Sequence, residues 1–177
     1  MSEGSSHPTD GPLSVRLRGF EIAVIAGIVL ADQVTKAAVR ARIPLYDTVA
    51  VIGGVLNLTH VRNSGAAFGF LNAVDFPFKA SLLALVATAA LTGIAWYAAR
   101  VSTHARVARL GLALILAGAV GNLVDRLVLG AVVDFIDVVF GTWHFWAFNL
   151  ADSAITMGVI ALVFDMMGTG RHASTTS

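Results

Sequence analysis

Nine polar residues stand out in an otherwise apolar chain: Asp32, Lys36, Asn122, Asp125, Arg126, Asp134, Asp137, Asn149 and Asp152. Carboxylates dominate the set, and two of them held close together can share one proton. Mutual repulsion raises one pKa, so that one group is an acid while the other is a base. The base takes a proton from a water, the water attacks a peptide carbonyl, and the acid protonates the departing nitrogen. That chemistry needs no thiol, metal or cofactor. The chain has no cysteine, which excludes disulfides and thiolate catalysis. Its five histidines, His7, His60, His104, His144 and His172, are scattered, and none has the H-E-x-x-H spacing of a zinc protease. The expectation is a site with no metal and no cofactor.

The elements that would position these groups are membrane spans. Of 177 residues, 56% are hydrophobic and 13% charged, and the mean hydropathy is +0.78. The charged share is about half that of a soluble domain, so bilayer lipid is the expected solvent. A net charge of +1 offers no basic surface, so no nucleic-acid partner is expected. Four apolar stretches have roughly the ~20 residues that a spanning helix needs: about 20–39, 78–99, 107–129 and 145–167. Residues 1–18 are polar and rich in Ser, Gly and Pro and read as a disordered tail. They are not a cleavable signal peptide, because the following apolar run is long, carries Glu21 and Asp32, and lacks a small-residue cleavage pattern. Residues 169–177 form a second tail, leaving 19–168 as the membrane domain.

The segment of about 40–77 lies between the first two spans. Its β-rich runs, 48–52 and 55–61, are joined by Gly53-Gly54, and glycine accepts the positive φ of a tight turn. The expected fold is therefore all-α and membrane-embedded, with four transmembrane helices and a small β-hairpin or sheet outside the bilayer between helices 1 and 2. Arg16, Arg18, Arg100, Arg106, Arg109 and Arg171 fall on one side, against Arg40, Arg42, Arg62 and Lys79 on the other. The short basic loop after the second span carries the most weight, placing both termini in the cytoplasm. Trp96 and Tyr97 then mark the inner interface, and Trp143 and Trp146 the outer one.

Alternating helix directions bring the nine polar residues to one depth. A charge deep in a bilayer costs ~2.5–3.5 kcal/mol, so such a gathering needs a reason. Asp32 and Lys36 are i and i+4 on one helix face and can pair. Asn122, Asp125 and Arg126 share one face, as do Asn149 and Asp152. Taken alone, Asp134 reads equally well as a turn residue. Asp125 is its rival, but a carboxylate beside Arg126 is a poor partner for a shared proton and reads as holding that arginine in place. Asp137 reads as solvated. Arg126 stands between snorkelling to headgroups and binding a substrate carbonyl. A serine–lysine dyad of Ser64 with Lys36 has no support from flanking residues.

Five stretches carry a resemblance: Asp32-Gln33-Val34-Thr35-Lys36, Asn63-Ser64-Gly65-Ala66-Ala67-Phe68, Gly121-Asn122-Leu123-Val124-Asp125-Arg126, Val132-Val133-Asp134-Phe135 and Asn149-Leu150-Ala151-Asp152-Ser153-Ala154. In order and spacing they resemble the motif boxes of the lipoprotein signal peptidases, or signal peptidase II, across all four spans and the outer segment. The resemblance implies a multi-pass aspartyl protease of the bacterial inner membrane, with its active site facing outward. Its substrate would be a prolipoprotein bearing a diacylglyceryl-cysteine, cut just before that cysteine, with membrane lipids as the other partner. The family is a target of cyclic peptide antibiotics. By motif match, Asp134 and Asp152 would be catalytic. Asn63, Gly65, Asn122, Arg126 and Asn149 would line the site, and Asp32, Lys36 and Asp125 would support it. Phe68, Phe70 and Phe76 would anchor the outer segment, and the expected state is a monomer. A small proton-coupled transporter using the aspartates as a relay is the alternative; it predicts a polar path reaching both faces. A non-catalytic membrane subunit is a third reading.

Overall fold

A computed structural model describes residues 19–65, 76–98, 100–102 and 105–172, with side chains as far as Met167. The polar N-terminal tail, the C-terminal tail beyond 172, and Phe68 and Phe70 lie outside the described residues. Four helices, α1 (Gly19–Arg42), α2 (Lys79–Ala98), α3 (Arg106–Leu129) and α4 (Leu150–His172), are each long and apolar enough to cross a membrane. At 1.5 Å per residue, the 24 residues of α3 span about 36 Å, slightly more than a bilayer's hydrocarbon core.

Helix α3 is central and packs against the other three, burying Leu112, Ala113, Ile115, Leu116 and Ala117. The outer three leave Leu30, Leu85, Val86, Val159 and Phe164 exposed, as suits surfaces solvated by lipid. Lipid tails give apolar helices no hydrophobic reason to associate, so close backbone packing must supply the attraction. Small residues allow it: a Cβ on Gly111 would sit 2.8 Å from the Gly158 carbonyl oxygen, and one on Gly118 would collide with the Ala151 carbonyl.

Beside the helices lies a four-stranded antiparallel sheet in the order β1 (Thr48–Ile52), β2 (Leu56–Asn63), β3 (Val132–Phe140), β4 (Trp143–His144). The β1–β2 hairpin turns at Gly54, whose φ is 71°. Strands β3 and β4 come from the connection between the last two spans, which the sequence suggested only as a link. The reason is burial: β3 is covered on both faces from Val132 to Phe135, so its sequence shows no apolar–polar alternation and merges into the neighbouring hydrophobic runs. Similarly, the apolar run from 145 does not begin as helix. Phe148 pairs with Ile136 in extended backbone, and α4 starts at Leu150.

Candidate active site

Two structural joints deliver the carboxylates. Helix α3 ends at Gly130, which takes the left-handed conformation (φ 73°) and donates its N–H to the Arg126 carbonyl at 3.1 Å. This glycine cap turns the chain sharply into β3, where Asp125 Oδ2 accepts the Val133 N–H at 3.1 Å. The next residue, Asp134, is only 3% exposed. At the other joint, Asn149 caps α4. Its Oδ1 accepts the Asp152 N–H at 2.9 Å, and Asp152 Oδ2 accepts the Asn149 N–H at 3.3 Å. This is a reciprocal capping box that satisfies donors otherwise left orphaned at a helix start. Asp32 of α1 satisfies another, accepting the Ala151 N–H at 3.0 Å.

Three carboxamides converge on the two acids. Asn149 Nδ2 donates to Asp134 Oδ1 at 2.8 Å, and Asn63 Nδ2 donates to Asp134 Oδ2 at 3.0 Å. Asn122 Nδ2 donates to Asp152 Oδ1 at 2.8 Å. Asn149 touches both acids, so it fixes Asp134 of the sheet relative to Asp152 of the helix. Burial pushes the Asp134 carboxyl up to about 7; the charge of Asp152 adds to the rise, while the donors Asn63 and Asn149 and the cation of Lys36 oppose it.

Behind this lies a fully buried ion cluster. Lys36 Nζ donates to Asp32 Oδ2 at 2.8 Å, Asp125 Oδ2 at 2.9 Å and Asn122 Oδ1 at 3.0 Å. Three donors meet three acceptors, the condition under which a buried charge is tolerated. Gly121 makes room for it: a Cβ there would lie 2.7 Å from Asp32 Oδ2. Arg126 donates to the Asn122 carbonyl at 3.2 Å and to the Gly65 carbonyl at 3.4 Å, and Gly65 donates its N–H to Asn63 Oδ1 at 3.0 Å.

The structure thus brings Asp32, Lys36, Asn63, Gly65, Asn122, Asp125, Arg126, Asp134, Asn149 and Asp152 into one network. Two details differ from the sequence reading. Asp125 is bonded to Lys36, Gln33 and the Val133 N–H, and Arg126 is anchored by backbone carbonyls instead. Asp137 is buried (8% exposed), accepting from Asn57 at 3.0 Å and lying 2.9 Å from His144 Nδ1; β2 and β4 flank it on either side, which a linear reading of the loop could not show. Gln33 joins the network without having been among the nine polar residues: it donates to Asp125 at 3.0 Å and to the Gly121 carbonyl at 3.1 Å. Its place between Asp32 and Lys36 was the only signal. Near the opposite end of the bundle, Arg109 grips Glu21, with Nη2 to Oε2 at 2.7 Å. Among the described residues, the apolar layer of Leu112, Ala113, Leu116 and Ala117 lies along α3 between that pair and the network.

The family described as "Signal peptidase (SPase) II" matches residues 24–168. A protein of Geobacter sulfurreducens named lipoprotein signal peptidase is 43% identical over 150 residues, covering 85% of this chain and 92% of that protein. One of the same name from Burkholderia multivorans is 40% identical over 173 residues, covering 98% and 99%. A solved bacterial membrane enzyme superposes with a TM-score of 0.79 at 30% identity over 90% of this chain and 94% of its own, and a second with a TM-score of 0.75 at 31% identity over 84% and 92%. With four apolar helices, a four-stranded antiparallel sheet and a match across 24–168, the chain belongs to the signal peptidase II family.

Proposed function

We propose that this protein is an aspartic endopeptidase of the bacterial inner membrane that removes signal peptides from diacylglyceryl-modified prolipoproteins, cutting immediately before the lipidated cysteine. The observation that carries the reading is the pair of hydrogen bonds from Asn149, which tie Asp134 and Asp152 into one unit. Asp134 and Asp152 are the catalytic pair and share one proton; the proton belongs to the pair, not to either residue. A water between them loses its proton to the ionised carboxylate and attacks the scissile carbonyl. The protonated carboxyl then gives its proton to the leaving nitrogen. Among the described residues, two of the five N–H donors of Arg126 are engaged by backbone carbonyls, and the others suit a peptide or ester carbonyl of the substrate. Asn63, Gly65, Asn122 and Asn149 hold the acids and the substrate backbone, while Asp32, Lys36 and Asp125 hold the frame.

The signal helix enters sideways between the spans, and its acyl chains remain in the bilayer. The site opens on the outer face, with both termini in the cytoplasm, and the protein works as a monomer. The test is to incubate the purified protein in lipid with a precursor in diacylglyceryl-modified and unmodified forms. Cleavage of the modified form alone, giving a product that begins with the lipidated cysteine, is the expected result. Equal cutting of both forms, or of neither, would contradict the proposed substrate.

A further inference from the structure

Lys79 is the first residue of α2 and only 7% exposed. Both facts are unfavourable for a lysine. A helix N-terminus carries partial positive charge and repels cations, and burial removes the water that an ammonium needs. A cation kept in such a place should be set by what it touches. Its Nζ donates to the Ser64 hydroxyl at 3.4 Å. Ser64 lies between Asn63 and Gly65, the tight turn closed by the Gly65 N–H bond to Asn63 Oδ1. Arg126 holds the same turn through the Gly65 carbonyl. Asn63, at the start of the turn, donates to Asp134. A chain of contacts therefore leads from the head of α2, through Ser64 and the Asn63 carboxamide, to one of the two acids.

We infer that Lys79 is a positioning residue for the peptidase reaction: by gripping Ser64 it sets the Asn63 carboxamide on Asp134, coupling the start of α2 to the catalytic pair. This inference rests on the proposed aspartic mechanism. An N–H donor stabilises the ionised form of a carboxylate, so a displaced Asn63 makes the pair hold its last proton to higher pH. Among the described residues, the charged groups coupled to Asp134 are Asp152 of α4, Arg126 of α3 and Lys36 of α1, and none of these is altered by changing Lys79 or Ser64.

The experiment measures the pH dependence of kcat/KM on lipidated precursor for wild type, Lys79→Met, Lys79→Arg, Ser64→Ala, the Lys79→Met/Ser64→Ala double variant and Asp134→Asn. Lys79→Met and Ser64→Ala should each lower kcat about 3- to 10-fold with little change in KM, and each should move the alkaline limb up by roughly half a pH unit. The double variant should lose less than the product of the two single losses, because the two residues share one contact, and Lys79→Arg should restore the limb toward wild type. An unmoved limb in both single variants, or additive effects in the double, would overturn the inference. Complete loss in Ser64→Ala would do so as well, since that is the signature of a serine nucleophile. If Lys79→Met does not fold, Ser64→Ala alone decides. An inactive Asp134→Asn with an unmoved limb in the other variants sinks only this inference, whereas an active Asp134→Asn sinks the aspartic mechanism and the inference together.

Discussion

Asp134 occupies a place where its charged form is disfavoured, buried and near a second acid, and its carboxyl is raised to about 7. Activity that depends on a proton held by the pair should therefore fall as pH rises through about 7, giving kcat/KM a descending alkaline limb there. The same shift has a cost in stability. With the folded value raised above the unfolded one, the folded state binds more protons between the two. Stability is then lost as pH climbs from about 4 to about 7, by on the order of 2–4 kcal/mol. Asp134→Asn, which cannot ionise, should melt higher than wild type at pH 8, with the gap closing by pH 4; thermal unfolding in detergent at the two pH values measures it. At this scale, residue type and spacing in the sequence marked the polar set, because each polar group in an apolar run is costly. Partnership was hidden: Asn63 and Asp134 are 71 positions apart, and no local spacing connects them.

The elements act as clamps. Asn149 is both the cap of α4 and the bridge between the acids, so Asn149→Ala should lower stability by about 1–2 kcal/mol and lower kcat far more than a lost cap explains. Lys36 of α1 pairs with two buried carboxylates, Asp32 of its own helix and Asp125 of α3, and through the second it holds α1 to α3. Lys36→Met leaves both uncompensated and should cost roughly 3–5 kcal/mol, read as a large fall in melting temperature or in folded yield. The β1–β2 hairpin was legible from Gly53-Gly54 between two β-rich runs. Strand β3 was not, since double-sided burial from Val132 to Phe135 erases alternation. Helix α4 starts at Leu150, inside the apolar run from 145, for a related reason: hydropathy does not distinguish a non-helical apolar stretch at 145–149 from helix, and the cap at Asn149 is what sets the boundary.

Across the whole molecule, polarity is sorted by end. The acid network gathers where β3 and the start of α4 meet the last turns of α1 and α3, and Glu21–Arg109 closes the opposite end. The exposed Trp143 and Trp146 flank the network end, while Trp96 and Tyr97 lie at the far end of α2. The cysteine-free chain suits topology labelling: Thr48→Cys in intact cells should react with an impermeant thiol reagent, and Ser102→Cys only after lysis. The reverse pattern would invert the proposed orientation. The fold as a whole has one task in this account, to bring an acid from a sheet and an acid from a helix together as a single proton-sharing unit. The most direct measurement is cleavage of lipidated precursor in liposomes by folded Asp134→Asn, Asp152→Asn and the double variant. Each single change should reduce kcat/KM by about 10³-fold or more, and the double no further. Substantial activity in either single variant, or losses that multiply in the double, would contradict it.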